Sequence, residues 1–235
     1  MFKENFINKF GFCQRTSLQG VISFIIVLVL PCLIIYPFIF PTLCKAFPRT
    51  SEDIIEISCG SNNVDGNRVL IAYDTVHGST SEIAEKIGDI LCEVGFQVDV
   101  RLARRVKDIS EYDAVIVGTA IRELKWLLDA ERFLRRHKKI LSEIPVAYFG
   151  VCMALAYDSP EVQEMMMPIY MEPILEKYLE IAPVDYRLFG GAIDFTNFNI
   201  YEKLLIWGFG STKSSDYRNW EKVTEWAEKL SNLLE

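Results

Sequence analysis

Apolar residues in the second part of the chain recur with two alternating periods. Five short runs of strand type are bounded by small or polar residues, and most of them precede a segment whose apolar residues recur every three or four positions. This alternation predicts a doubly wound α/β fold around a parallel sheet. The predicted strands are 69–74, 97–101, 112–119, 144–150 and 186–193; the predicted helices begin near Ser81 and Trp126 and occupy 158–182, 200–209 and 223–233.

The first strand leads into a loop that suits a phosphate group. Thr75, Ser79 and Thr80 supply hydroxyl groups, and the helix that follows presents unpaired backbone N–H groups at the positive end of its dipole. The loop has neither the Gly-Lys-Ser/Thr ending of a P-loop nor the glycines of a dinucleotide fingerprint. We therefore expect a phosphorylated cofactor; the alternative is an ordinary strand-to-helix connection rich in capping residues.

Two further loops are expected beside this one. Ligands of doubly wound sheets bind at the carboxyl ends of the strands, and the loops at 74–80, 119–126 and 151–158 follow three such ends. Gly190-Gly191 closes the fifth run and permits a close approach of another backbone. The second strand alternates with period two, which is typical of a strand at an edge.

Residues 18–44 are the most apolar part of the chain and predict a membrane anchor. No charged residue occurs from Thr16 to Cys44, and at about 1.5 Å per residue a helix here exceeds the roughly 30 Å of a bilayer core. The chain would then comprise a tail (1–17), one transmembrane helix (18–44), a polar linker (45–67) and a globular domain (68–235). A cleaved signal peptide is the alternative, although its apolar region would be shorter and would end on small residues.

The anchor sets the expected location of the protein. Three basic residues precede the apolar stretch and two follow it, a margin that is too small to fix the orientation. We expect a single-pass membrane protein whose globular domain lies in the cytoplasm.

The net charge of −7 lies entirely in residues 68–235, so nucleic acid is not an expected partner. Two basic runs nevertheless occur, at 101–107 and 132–139. The first is interpreted as a solvated loop, with an anion site as the alternative. The second suits the negative end of a helix, with a dock for an acidic partner as the alternative.

The six cysteines show no CxxC spacing and no regular framework, and three of them lie in or beside the apolar stretch. We therefore expect reduced, mostly buried thiols. No metal site is predicted.

Residues 68–235 resemble the flavodoxin-like family, and more closely its branch of menaquinone-dependent protoporphyrinogen oxidases. The first loop matches the family's phosphate loop at Thr75, Gly78 and Thr80, with His77 in place of a threonine. The branch is matched by the ordered set Val-Gly-Thr-Ala-Ile-Arg at 117–122, an insertion near 158–182, Leu-Phe-Gly-Gly-Ala-Ile-Asp at 188–194 and Asp-Tyr-Arg-Asn-Trp at 216–220. A Tyr-Gly-His run of the branch is replaced by Glu123-Leu124-Lys125-Trp126.

The resemblance implies a five-stranded parallel sheet in the order 2-1-3-4-5 and FMN as the cofactor. The residues that it implies for FMN binding come from the three loops: Asp74, Thr75, Val76, His77, Gly78, Ser79, Thr80, Thr119, Ala120, Ile121, Arg122, Trp126, Val151, Cys152, Met153 and Ala154. Arg122 would lie near the flavin ring, where a cation favours the reduced cofactor.

Two functions follow from the resemblance. One is an enzyme that oxidises an apolar substrate, such as a porphyrinogen, and passes the electrons to a quinone at the membrane. The other is a flavodoxin-type electron carrier that serves protein partners. The methionine-rich insertion at 158–182 favours the enzyme, because a carrier does not need it.

Overall fold

The computed structural model describes residues 56–60, 67–156, 158–193 and 214–234. All of them belong to a unit that extends from Arg49 to Glu235. The predicted tail, the predicted transmembrane segment 18–44 and the predicted helix 200–209 lie outside the described residues and remain predictions. Within the part of the chain that is described, no helix has the length and apolar character needed to span a bilayer.

A mostly parallel sheet forms the centre of the domain, which confirms the predicted α/β class. Its spatial order is β1-β3-β2-β4-β6-β7, and β5 pairs with the end of β4. Strands β3, β2, β4, β6 and β7 are parallel to their neighbours, whereas β1 is antiparallel to β3. The strands are β1 (Ile57–Cys59), β2 (Arg68–Asp74), β3 (Gln97–Leu102), β4 (Ala114–Arg122), β5 (Lys125–Trp126), β6 (Val146–Cys152) and β7 (Asp185–Gly190), and a separate pair is formed by β8 (Ala192–Ile193) and β9 (Ser215–Asp216).

Helices cover both faces of this sheet, and the alternation of side chains along β2 explains why. Val69 and Ile71 of β2 belong to one apolar cluster, while Leu70 and Ala72 belong to the other. A strand that is buried on both faces is apolar throughout, as the sequence shows. The first face is covered by α1 (Ser79–Glu93) and α5 (Trp220–Ser231), and the second by α2 (Leu128–Leu141), α3 (Pro160–Tyr170) and α4 (Glu172–Lys177).

Part of the predicted linker belongs to the sheet. Ile57 pairs with Val100 and Cys59 pairs with Val98, so β1 covers the outer side of β3. The prediction that the second strand lies at an edge is therefore wrong. The polar composition around β1 concealed it, because a strand of three residues leaves almost no periodic signal.

The predicted loop 119–126 is instead a β-hairpin. Strand β4 continues to Arg122, and Glu123 and Leu124 form the turn with φ values of 52° and 63°. Trp126 lies in β5 and not in a helix, which begins only at Leu128. The side chain of Trp126 is buried and its spacing to Ala130 imitated a helical period, which caused the error.

Cys59 and Cys92 form a disulfide bond, which corrects the expectation of reduced thiols for these two residues. Their Cα atoms are 6.0 Å apart, so the bond joins the edge strand β1 to the last turn of α1. Disulfides persist in oxidising compartments and are rare in the cytosol. The expected cytoplasmic location of the domain stays a prediction.

We predict that the disulfide can be isolated from cells and that it stabilises the domain. A link between residues 33 positions apart should raise the free energy of unfolding by about 3 to 4 kcal/mol, or the melting temperature by roughly 10 °C. Peptide mapping without reductant should recover the linked pair, and reductant should lower the melting temperature of the wild type. The Cys59→Ser/Cys92→Ser variant should melt at one temperature with and without reductant; free thiols at both positions in the native protein would contradict the prediction.

Candidate functional site

The loop between β2 and α1 is held in a fixed shape by its own hydrogen bonds. The backbone N–H of Gly78 donates to Thr75 Oγ1 at 3.1 Å, and Ser81 Oγ donates to the carbonyl of Gly78 at 2.6 Å. Gly78 precedes the helix with a φ of 89°, a left-handed conformation that side chains disfavour. These contacts explain the glycine and the hydroxyl residues of the predicted phosphate loop.

The loop leaves donors unused where a phosphate group would bind. The N-cap residue Gly78 provides no side-chain cap, and the backbone N–H groups of Ser79 and Thr80 at the start of the helix have no intrahelical acceptor. Thr80 is fully buried, and its Oγ1 has no hydrogen-bond partner among the described residues. A buried hydroxyl without a partner is costly unless a ligand satisfies it. The residues present therefore fit the phosphate of the predicted cofactor.

Asp74 and Thr119, which were predicted to bind the cofactor, organise the start of α2. Asp74 Oδ2 accepts the backbone N–H groups of Asp129 at 3.0 Å and Ala130 at 3.3 Å. Thr119 Oγ1 accepts the N–H of Leu127 at 3.1 Å. Both side chains are buried, so they fix the hairpin and the helix that border the site.

The ends of three strands meet beside the phosphate loop. A Cβ atom on Gly191, which follows β7, would lie 3.7 Å from Ser79 Oγ and 3.7 Å from Met153 Sδ. One on Gly190 would lie 2.2 Å from the carbonyl oxygen of Tyr217, so only glycine fits there. The expected close approach at Gly190-Gly191 is thus present. Sequence reasoning did not place Gly191 and Tyr217 at the site, although the paired glycines signalled it.

Predicted site residues of the third loop divide between core and surface. Strand β6 extends to Cys152, so Val151 and Cys152 lie in a strand and are buried, whereas Met153 and Ala154 are exposed. Burial raises the pKa of the Cys152 thiol to about 11, which keeps it protonated and unreactive near neutral pH. Cys152 is therefore not a nucleophile.

The remaining predicted residues surround the same edge of the sheet. Val76 and His77 are partly exposed in the phosphate loop, as are Ala120 and Ile121 near the end of β4, and Arg122 is exposed. Trp126 is only 6% exposed and packs edge to face on Tyr148, with ring centroids 5.3 Å apart. Its location in the core corrects the expectation that it begins a helix beside the cofactor.

The hairpin turn is a feature that sequence reasoning missed. Leu124 is 63% exposed at the tip, with a positive φ that is unusual for a bulky residue. Residues held in such conformations cost about 1 to 3 kcal/mol and cluster at functional sites. Glu123-Leu124 contains none of the Asn, Asp or Gly residues that usually signal a two-residue hairpin turn, so the sequence offered no signal here.

Arg218 attaches the C-terminal segment to the helix of the phosphate loop. Its guanidinium donates to both oxygens of Asp216 at 2.8 and 2.7 Å and to Glu82 Oε2 at 2.5 Å, and it lies 4.7 Å from the ring of Trp220. The hydrogen bond to Asp216, followed by that to Glu82, raises the pKa of Arg218. Since Glu82 lies in the first turn of α1, Arg218 neutralises a carboxylate that would repel a bound phosphate.

We predict that Thr80→Ala weakens binding of FMN and leaves binding of riboflavin, which lacks the phosphate, unchanged. Loss of a hydrogen bond to a charged group costs about 1.5 to 3 kcal/mol, or roughly ten- to a hundredfold in affinity. Flavin titrations followed by fluorescence measure both constants. Thr224→Ala on α5, where the hydroxyl donates to the carbonyl of Trp220, is the matched control. An equal loss for both flavins would place the phosphate elsewhere.

Comparisons with known proteins agree with this arrangement. The family model described as "Flavodoxin domain" matches residues 70–217, more than half of the chain. Protoporphyrinogen IX dehydrogenase (quinone) of Escherichia coli strain K12 is 26% identical over 178 residues, which cover 72% of this chain and 97% of the relative.

Solved structures with a similar fold include oxidised flavodoxin 2 of Bacillus cereus, with a TM-score of 0.47, 21% identity and coverage of 71% of this chain and 99% of the other. A flavodoxin from the domain Archaea gives a TM-score of 0.44 and 18% identity, with coverage of 71% and 98%. The extent of the family match decides the assignment. The chain belongs to the flavodoxin domain family, and its cofactor is FMN.

Proposed function

We propose that the protein is a membrane-anchored, FMN-dependent dehydrogenase that oxidises an apolar substrate of the porphyrinogen class and passes the electrons to a quinone. The alignment with the Escherichia coli dehydrogenase carries this proposal, because it covers 97% of that relative. Bound FMN supplies the two-electron chemistry. Each turnover removes two electrons and two protons from the substrate, and the quinone takes them up as a quinol.

The insertion supports an apolar substrate. Trp126 Nε1 donates to the carbonyl of Tyr170 at 2.9 Å, so the hairpin and the end of α3 are in contact. Met165 and Ile169, one turn apart on α3, are 61% and 40% exposed. Exposed apolar side chains on an element that contacts the site hairpin suit a large apolar ligand. Methionine adapts its shape to such ligands.

The insertion is also fixed firmly to the sheet. The Gln163 side-chain amide donates to the carbonyl of Leu188 on β7 at 2.7 Å and to Asp158 Oδ1 at 2.8 Å. Lys222 of α5 pairs with Asp158 Oδ2 at 3.0 Å. A surface held in this way is suited to positioning a substrate against the cofactor edge.

An electron carrier is the alternative function, and one observation favours it. The outer side of α1 carries Glu82, Glu85, Asp89 and Glu93. Burial and then the neighbouring charges of Asp89 and Glu82 raise the pKa of Glu85, as expected where negative charges lie along one side of a helix. Such a face would attract a basic redox partner.

We predict that the purified full chain, loaded with FMN, reduces a menaquinone analogue with protoporphyrinogen as the donor under anaerobic conditions. Met165→Gln/Ile169→Gln should lower kcat/KM for the porphyrinogen by roughly ten- to a hundredfold, since burial of two apolar side chains is lost. Reduction of the same variant by dithionite and its reoxidation by the quinone should be unchanged. Leu179→Gln, another highly exposed apolar position, is the control. Electron transfer to redox proteins without porphyrinogen oxidation would favour the carrier instead.

We further propose that Arg122 stabilises negative charge on the cofactor ring. It ends β4 at the hairpin and pairs in register with Lys125, which places two cations at the carboxyl edge. We predict that Arg122→Met lowers the reduction potential of FMN by about 30 mV or more and slows substrate oxidation more than it weakens flavin binding. The control is Lys139→Met, which removes one positive charge near the C-terminal end of α2, about 16 Å along the helix from its first residue. An unchanged potential in a spectroelectrochemical titration would remove Arg122 from the site.

A further inference from the structure

The structure brings together two basic runs that are separated in the sequence. The loop after β3 packs along α2: Arg136 donates to the carbonyl of Val106 at 3.1 Å, and Val106 and Ile109 are buried in the same cluster as Phe133. The cations of the loop and of the helix therefore lie on one side of the sheet. Those that define this basic face are Arg104, Lys107, Arg135, Arg136 and Lys139, all of them exposed.

Most neighbouring basic residues are paired, but those of the basic face are not. Arg105, Arg132 and Lys138 form ion pairs with Glu56, Asp129 and Glu180, respectively. Within the described residues, no carboxylate lies within 4 Å of the charged groups of the basic face. Asp108 is the carboxylate of the same loop, and it accepts hydrogen bonds from Ser110. An excess of positive charge therefore remains on one face of an acidic chain.

The first described residue of the domain lies beside this face. Glu56 directly precedes β1, and its carboxylate is 2.7 Å from Arg105. The predicted anchor ends at Cys44, so residues 45–55 connect them and span at most about 40 Å. A domain tethered by so short a segment meets the bilayer surface at a high effective concentration.

We propose that the basic face docks the flavin domain onto an anionic lipid bilayer. This inference rests on the membrane anchor of the proposed function, which delivers the domain to that surface. The guanidinium and ammonium groups of the basic face have no carboxylate partner among the described residues, and lipid headgroup phosphates would provide the opposite charge. The same contact fixes one orientation of the domain at the bilayer. The bilayer is also the phase from which the apolar substrate and the quinone reach the site.

The test uses the full chain, loaded with FMN, in nanodiscs of phosphatidylcholine alone or of phosphatidylcholine with phosphatidylglycerol. Amine labelling with a soluble reagent is read by mass spectrometry at Lys107 and Lys139. Docking should slow labelling of both about fivefold or more in the anionic discs, and high salt should abolish the effect. Lys229 on α5, which is exposed on the opposite face of the sheet, should label equally in both discs.

Two pairs of substitutions test whether the protection depends on the basic face or only on the net charge of the domain. Arg104→Gln/Arg135→Gln keeps the reporting lysines and should remove most of the protection in anionic discs. Lys86→Gln/Lys229→Gln makes the same change in net charge elsewhere and should leave the protection of Lys107 and Lys139 intact.

Several results would overturn the proposal. One is equal labelling of Lys107 and Lys139 in the two lipid compositions, and another is protection that persists in high salt. A third is protection of these lysines by an added oligonucleotide when the anionic discs give none. Retention of the chain in the discs reports the anchor independently. If the chain does not insert into discs, co-sedimentation with vesicles is measured instead. Binding of the chain to anionic but not to zwitterionic vesicles supports docking, and no binding to anionic vesicles overturns the proposal.

Discussion

The carboxylate of Asp74 is the contact on which the geometry of the site depends. It is the last residue of β2, it is 1% exposed, and it accepts two backbone N–H groups at the start of α2. A polar side chain so deeply buried is tolerated because it accepts hydrogen bonds at the positive end of the helix dipole. The phosphate loop leaves β2 at this point, so one interaction fixes the positions of the loop, the hairpin and α2 relative to one another. Thr119 reinforces it from β4.

The sequence was sufficient to predict the five parallel strands of the sheet, because central parallel strands are apolar on both faces and stand out from amphipathic helices. The phosphate loop was also predictable, since its glycine and hydroxyl groups serve contacts within a few residues. Contacts between distant residues were not predictable. Nothing near Asp74 in the sequence shows that it also accepts backbone N–H groups of a helix more than fifty residues away. The disulfide between Cys59 and Cys92 was missed for the same reason, whereas Trp126 was assigned to a helix because its spacing to Ala130 matches a helical period.

The negative charge of Glu82 beside the phosphate loop is balanced by a neighbouring cation, Arg218, although the chain as a whole is acidic. An acidic residue in the first turn stabilises α1, yet Glu82 would oppose the phosphate of FMN. Arg218 resolves this conflict: the guanidinium satisfies Glu82 and Asp216 together and stacks on Trp220. The segment that carries Arg218 is in turn fixed to the end of β7, because the Tyr217 N–H donates to the carbonyl of Gly191 at 3.1 Å. The Asp-Tyr-Arg-Asn-Trp motif thus belongs to the phosphate end of the site.

The same segment links the cofactor edge to the insertion, which is where an enzyme and a carrier of this family would differ. Asn219 caps α5 by accepting the N–H of Lys222, and Lys222 then reaches Asp158 at the base of α3. Gln163 on α3 completes this series of contacts by donating to the carbonyl of Leu188 on β7. These bonds hold the exposed methionine surface in a fixed relation to the strands that carry the site. In the enzyme proposed above, the same polar contacts would hold the surface that orients the substrate against the cofactor edge.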